Sequence, residues 1–344
     1  MTHSVSTQIQ LSSRPVGWPT ANDFSTVQVE LAPLAPGQIR VANEFMSVDP
    51  YMRGRMSDAK SYAAPYGLGE TMTGGAIGRV VESASADIPA GSVVLHQFGW
   101  RDVVQEDAAA FKIVPELPGV PLSLYLGILG MTGLTGYVGL SRIAGLQAGD
   151  TVFISGAAGA VGTAAGQIAR LLGAKRVIGS AGSDEKVALL TGKYGYDAAF
   201  NYKTGSVREM LAAAAPEGID VFFDNVGGDH LEAALDVLNP GGRAALCGAI
   251  AGYNTTGRKL GPDNMANIIT RSLKLQGFTL GGHLDLAPEF NQLMTGWFTE
   301  GRIAYDETVV DGIDHAVDAL LDMMRGANTG KMVVRTAPAG GNNA

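Results

Sequence analysis

The chain has 344 residues, 46% of them hydrophobic and 17% charged, and a formal net charge of −8. The length predicts two domains, and the composition is that of a globular protein able to bury a large core. The acidic balance, with no Lys/Arg run, excludes nucleic acid as an expected partner.

Residues 1–15 are polar and lack the apolar run of a signal peptide. Residues 1–120 read as short strands between Pro/Gly turns, at 26–31, 38–45, 76–82 and 92–98. From Leu122 the texture changes to alternating helices and strands. The apolar stretch 122–131 is broken by glycine and too short to span a bilayer, so no membrane association is expected. Strands at 151–154, 176–179, 198–201, 221–224, 244–246 and 273–278 predict a doubly wound parallel sheet. A helix over 313–325 has apolar residues at 317, 320, 321 and 324, and 331–335 reads as the last strand. The tail 337–344 reads as disordered. The fold class is α/β: a β-rich domain of residues 1–122 with a return at 302–344, and a dinucleotide-binding domain of residues 123–301. The single cysteine, Cys247, excludes an internal disulfide framework. A cytoplasmic protein is the expectation.

The stretch 151–186 carries the strongest signal. The run Thr151-Val152-Phe153-Ile154 has the character of a buried parallel strand. It feeds a turn with Ala157, Gly159 and Gly162 that opens a helix, and that helix stops at Gly173. A second strand with Val177 and Ile178 follows, which is the order a dinucleotide-binding βαβ unit requires. The glycines permit a tight turn and close approach to a pyrophosphate, and the helix start offers open N–H groups and a positive dipole end. An NAD site would place an acid on the ribose 2′-hydroxyl about 20 residues past the glycines. Here the second strand ends in Gly179-Ser180-Ala181-Gly182-Ser183, with Lys186 one turn later. Small hydroxyls, N–H groups and a cation suit a 2′-phosphate, so NADP(H) is expected over NAD(H). Asp184 and Glu185 read as first-turn residues of a helix with Ser183 as N-cap.

Two further strand ends would line the cofactor crevice: Asp224-Asn225-Val226-Gly227-Gly228, and Cys247 to Asn254. Cys247 reads as a small apolar filler rather than a nucleophile, because no histidine is placed to activate it. His3, His96, His230, His283 and His315 are scattered without metal-ligand spacing, so no metal site is expected. No G-x-S-x-G elbow is present, which speaks against a serine hydrolase. The remaining chemistry is that of a cofactor positioned by protein.

Several segments in order carry a family resemblance: Ser47-Val48-Asp49-Pro50-Tyr51-Met52-Arg53; 129–137; the glycine turn; Ala181 to Lys186; Asn201-Tyr202-Lys203; Asp224 to Gly228; Cys247 to Ile250 with Tyr253-Asn254; and Gly330-Lys331. On these the chain resembles the zinc-independent medium-chain dehydrogenase/reductases, in the group of prostaglandin, curcumin and plant alkenal double-bond reductases. The resemblance implies a GroES-like β-domain, a Rossmann domain and an active site in the cleft between them. It implies NADPH-dependent reduction of the carbon–carbon double bond of α,β-unsaturated ketones or aldehydes, and a homodimer joined through nucleotide-domain sheets. By position, Gly159, Ala160, Val161 and Gly162 would hold the pyrophosphate. Gly182, Ser183, Lys186 and Tyr202 would surround the 2′-phosphate and its ribose. Met131 and Thr135 would lie near the nicotinamide. Asn225, Cys247, Gly248, Ala249, Ile250, Tyr253, Phe278, Thr279, Leu280 and Asn328 would complete the groove. Two departures stand out. Met131-Thr132-Gly133 replaces the usual Met-Pro-Gly, and Phe278 to His283 is unlike the commoner forms, so substrate identity does not carry over.

Hydride transfer to the β-carbon leaves an enolate, whose oxygen needs a donor. Tyr253 and Tyr51 are the side-chain candidates, since a phenol with a pKa near ~10 donates while neutral at pH 7. The cofactor ribose hydroxyl is a third, and water is the expected proton source at the α-carbon. Two other functions stay open from sequence: a quinone oxidoreductase of the same superfamily, and a non-catalytic NADPH-binding protein.

Overall fold

Continuous apolar runs and alternating ones sort this chain into two kinds of sheet. The structure, a computed structural model, describes residues 4–257 and 261–336. The tail expected to be disordered lies outside the described residues. Strands run as β1 (Val5–Leu11), β2 (Phe24–Glu30), β3 (Gln38–Ser47), β4 (Ala76–Ser83), β5 (Val93–His96), β6 (Val103–Asp107) and β7 (Lys112–Ile113). Then come β8 (Thr151–Ile154), β9 (Arg176–Ala181), β10 (Ala198–Asn201), β11 (Ile219–Asp224), β12 (Leu238–Leu246) and β13 (Lys274–Gly277), and finally β14 (Glu307–Asp311) and β15 (Lys331–Arg335). Helices are α1 (Tyr51–Arg55), α2 (Met131–Val138), α3 (Ala160–Leu171), α4 (Asp184–Gly192), α5 (Val207–Ala214), α6 (Asp229–Val237), α7 (Ala266–Thr270), α8 (Ala287–Thr299) and α9 (Ala316–Met324). Two compact units result, Met1–Leu126 with Glu307–Ala344, and Gly127–Asp306.

In the first unit β3 is the organising strand. It pairs antiparallel with β4, β6 and β15. Its register against β4 shifts twice, and a Cβ on Gly78 would lie 2.2 Å from the Ala42 carbonyl oxygen, so only glycine fits opposite the irregularity. β14 runs parallel to β15, which stitches the C-terminal return into this sheet. The unit's main core is rich in methionine (Met46, Met52, Met56, Met72 and Met332 among others) and includes Trp100.

β1 was not foreseen. Its Ser6 and Gln8 alternate with apolar residues in a way that reads as polar chain, yet both are buried. The Ser6 hydroxyl donates to the Val103 carbonyl at 2.6 Å, and Gln8 Nε2 donates to Ser6 Oγ at 3.1 Å. Tertiary partners satisfy groups that would otherwise resist burial.

The second unit holds a six-stranded sheet in the order β10-β9-β8-β11-β12-β13, parallel throughout. Both faces are covered, which is why β8 is buried at every residue. Phe153 stacks between Phe222 and Phe200, at centroid distances of 5.2 and 5.9 Å. α2 and α3 approach closely at Gly136, where a Cβ would lie 3.3 Å from the Ala165 backbone.

Several element boundaries differ from expectation, most of them by one or two residues and two by more. β12 starts at Leu238, not at 244. Its Asn239-Pro240-Gly241-Gly242 reads as a breaker, but the strand runs through it with a register shift against β11. The helix expected over 313–325 opens with a 3-10 turn at Ile313–His315, and only Ala316–Met324 is α-helical.

Candidate active site

The carboxyl ends of β8, β11 and β12 meet on one residue. Asp224 closes β11 and is 1% exposed. Its Oδ1 accepts from Ser155 Oγ at 2.7 Å, and from the N–H groups of Val226 and Gly227 at 2.9 Å each. Its carbonyl accepts from Cys247 and Gly248 at 2.8 and 3.0 Å. Asn225 continues the knot: its N–H donates to Ser155 Oγ at 2.9 Å and its side-chain amide to the Ser155 carbonyl at 2.8 Å. Its carbonyl takes the Ile250 N–H at 3.4 Å. Asn225 and the segment from Cys247 to Ile250 are therefore brought together. Burial pushes the Asp224 carboxyl up, against the pull of its three donors.

The glycine turn has the predicted form. Gly156 has φ +60, Gly159 is the N-cap of α3, and no side chain caps the helix start. The first N–H groups, on Ala160, Val161 and Gly162, have no intrahelical partners. A Cβ on Gly162 would lie 2.5 Å from the Ala157 Cα, so the residue must be glycine for α3 to pack on the turn.

Beyond β9, Gly182 brings a group of side chains to one point. A Cβ there would meet Tyr202 Oη at 2.9 Å and Lys203 Cε at 3.3 Å. Ser183 caps α4 by accepting the Lys186 N–H at 3.3 Å, and also hydrogen-bonds the Glu185 carboxylate. Burial holds the Lys186 ammonium below its ordinary range, and the nearby charge of Lys203 adds to this. Asp184 is engaged by Asn201 Nδ2 at 2.8 Å. Tyr202 meets His230 edge-on at 5.2 Å, and His230 stacks on Phe153 at 6.4 Å, with burial lowering its pKa to about 4. Ser180, counted in sequence among the small hydroxyls of this turn, is instead fully buried within β9, and its Oγ accepts from Gly156 N–H at 3.4 Å.

Met131 opens α2 and is 40% exposed, and Thr135, one turn on, donates to its carbonyl at 2.7 Å. Phe278 N–H reaches the Leu246 carbonyl at 3.3 Å, beside Cys247, and its ring meets Phe223 edge-on. Thr279 is exposed and Leu280 half-buried. Tyr253 is half-buried, with its phenol raised above the ordinary range by burial and hydrogen-bonded to the Ala249 backbone.

Tyr51 and Asn328 belong to the other unit. Tyr51 opens α1, and burial, then the Asp49 charge, push its phenol far above the ordinary range. Asn328 Nδ2 donates to the Gly330 carbonyl at 2.8 Å.

Residues 7–114 match a family model described as the N-terminal domain of oxidoreductase, and residues 160–298 one described as zinc-binding dehydrogenase. Prostaglandin reductase 1 of Sus scrofa is 41% identical, over 93% of this chain and 96% of its own length. The NADPH-dependent curcumin reductase of Escherichia coli is 38% identical, over 95% and 96%. A crystal structure of CurA in complex with NADPH from Vibrio vulnificus superposes with a TM-score of 0.91 at 40% identity, covering 97% of this chain and all of that one. The chain belongs to the zinc-independent medium-chain dehydrogenase/reductases.

Among the described residues here, no group of three or more His, Cys, Asp or Glu is placed to hold a metal ion. The Cys247 thiol is pushed up to about 12 by burial and the Asp224 charge, so it is not a thiolate nucleophile at neutral pH. Thr132 stands where the family pattern has proline, at the second position of α2, and its buried hydroxyl has no partner among the described residues.

Sequence reasoning passed over Asp224 as a junction and Lys203 as a second cation. Both lie inside matched segments, but only the folded strand ends reveal what they touch. Asp224→Ala leaves three buried donors unmet, at about 1–3 kcal/mol each. It is expected to lower stability in urea by about 3 kcal/mol, and Asp224→Asn, which keeps an acceptor, by less. Wild-type stability in both variants would show that the junction is dispensable.

Proposed function

We propose that this protein is an NADPH-dependent reductase of the carbon–carbon double bond of α,β-unsaturated ketones and aldehydes. The observation that carries the cofactor reading is the pair of ammonium groups at the Gly182 turn. Burial, and then the Lys203 charge, disfavour the charged form of Lys186, and a dianion beside it would oppose that cost. A ribose 2′-phosphate is such a group, with Gly182, Ser183 and Tyr202 around it. The uncapped start of α3, from Gly159 through Ala160, Val161 and Gly162, suits a pyrophosphate, and the backbone-tight Gly162 fits that use. Met131, Thr135, Asn225, Cys247, Gly248, Ala249, Ile250, Phe278, Thr279, Leu280 and Asn328 are assigned to the rest of the cofactor's length. The relatives named as NADPH-dependent curcumin reductase and prostaglandin reductase support both the cofactor and the substrate class.

Bound NADPH supplies the hydride that reaches the substrate β-carbon. The protein's own part is to hold the substrate and stabilise charge on its carbonyl oxygen. Tyr253 and Tyr51 take the donor role. Burial keeps both phenols protonated across the neutral range. We also assign nucleotide binding to Gly127–Asp306 and, apart from Tyr253, substrate chemistry to the other unit, and propose that the protein works in the cytoplasm as a homodimer. Support for the dimer is the outer edge of the sheet at β13, with Ile269 in the helix leading to it 83% exposed. No helix among the described residues is long and apolar enough to cross a membrane.

Single-turnover hydride transfer to an enone such as 4-phenyl-3-buten-2-one is expected to slow on the order of 10²-fold in Tyr253→Phe and in Tyr51→Phe. Wild-type rates in both would remove tyrosine as the donor. Lys186→Ala and Lys203→Ala are each expected to raise KM for NADPH about tenfold, the scale of a charge-assisted hydrogen bond, with KM for NADH unmoved. Equal effects on both nucleotides would sink the 2′-phosphate assignment. Light scattering should report a dimer that Ile269→Asp weakens, and a wild-type monomer would end that proposal.

A further inference from the structure

Two of the matched segments, Ser47 to Arg53 and Gly330-Lys331, are distant in sequence and meet inside the first unit. The Lys331 side chain is 4% exposed. Its ammonium donates to Asp49 Oδ1 at 2.9 Å, to the Val48 carbonyl at 2.8 Å and to the Met332 carbonyl at 3.0 Å. All three of its donors are therefore used. The Asp49 side chain is 5% exposed, and its other oxygen accepts from the Ser47 hydroxyl. The Val48 N–H donates to the Met332 carbonyl at 3.2 Å, and the Asp49 carbonyl accepts the Met52 N–H at 3.1 Å. Tyr51 follows Asp49 by two residues.

Stability alone does not account for such a pair. Desolvating two ions costs about what their attraction returns, and apolar replacements of buried pairs are often neutral. Geometry does account for it. Between Ser47, where β3 ends, and Tyr51, where α1 starts, neither sheet nor helix sets the backbone. α1 has five residues, too few to hold its own shape. A compact ammonium that grips a carbonyl and a carboxylate on adjacent residues fixes the turn from outside.

We propose that Lys331 and Asp49 are positioning residues for Tyr51, the pair setting the turn from which its hydroxyl is presented to the substrate oxygen. This rests on the reading of Tyr51 as a hydrogen-bond donor. The Asp49 charge also acts on Tyr51 directly, adding to the effect of burial in keeping the phenol protonated.

The test uses Asp49→Asn/Lys331→Met, which leaves no unpaired ion, in the wild-type and Tyr51→Phe backgrounds. The double variant is expected to melt near the wild-type temperature and to bind NADPH with unchanged affinity in a fluorescence titration. Its kcat should fall on the order of 10²-fold, the scale of a misplaced catalytic group. In the Tyr51→Phe background the same change should cost less than about twofold, since the group it positions is gone. Wild-type kcat in the folded double variant, or equal fractional losses in the two backgrounds, overturns the inference. Should the double variant fail to fold, Ser47→Ala loosens only the Asp49 carboxylate. A loss of kcat confined to the background that keeps Tyr51 supports the proposal, and no loss, or the same loss in both, overturns it. A wild-type rate in Tyr51→Phe alone removes the donor role itself. A slow Tyr51→Phe beside a fast double variant removes only the role of the pair.

Discussion

A parallel sheet must end somewhere, and at each end its last peptide groups need partners. In this protein the ends of β8, β11 and β12 are tied by the Asp224 carboxylate and carbonyl. Ser155 and Asn225 extend the same knot. The placing of Cys247 to Ile250 beside Asn225 follows from it, as does the conformation of the Gly227-Gly228 turn. A carboxylate buried this deeply is tolerated because three donors meet it. The strand-end loops are therefore held to one another by the fold's own hydrogen bonds.

Charge and polarity are spent locally elsewhere. The two ammonium groups near Gly182 come from segments following β9 and β10, which are neighbours in the sheet though about twenty residues apart in the chain. Tyr202 is steadied on its far side by His230, a neutral ring because burial disfavours its charged form. In the other unit, Lys331 and Asp49 meet because β15 returns to pair with β3. In each place the sheet pairing brings together groups whose value lies in being adjacent.

Much of this was legible in sequence. The strands at 151–154, 198–201 and 331–335 have the expected bounds, since β-branched and aromatic runs flanked by turn residues leave little choice. Ser183 is the N-cap of α4, as its Ser-Asp-Glu start requires. Illegible were β1, whose Ser6 and Gln8 look like surface residues until Val103 satisfies them, and the start of β12, where Pro240 and two glycines look like a break. Ser180 was misplaced for a related reason: a serine at a strand end does not reveal whether its hydroxyl faces outward or is consumed by the neighbouring turn.

The sequence by itself determined the βαβ unit, the glycine turn and the helix cap that follows the second strand. Each depends on backbone freedom and local hydrogen bonding within a few residues, and such preferences are written in residue type and spacing. The tertiary structure alone decided that Lys203 stands beside Lys186, that Asp224 is a junction, and that Lys331 holds the turn before Tyr51. Those relations depend on strand order and on the return of the C-terminal strand. They join residues that are 17, 69 and 282 positions apart in the clearest cases, and no local pattern encodes which distant partner a buried charge will find.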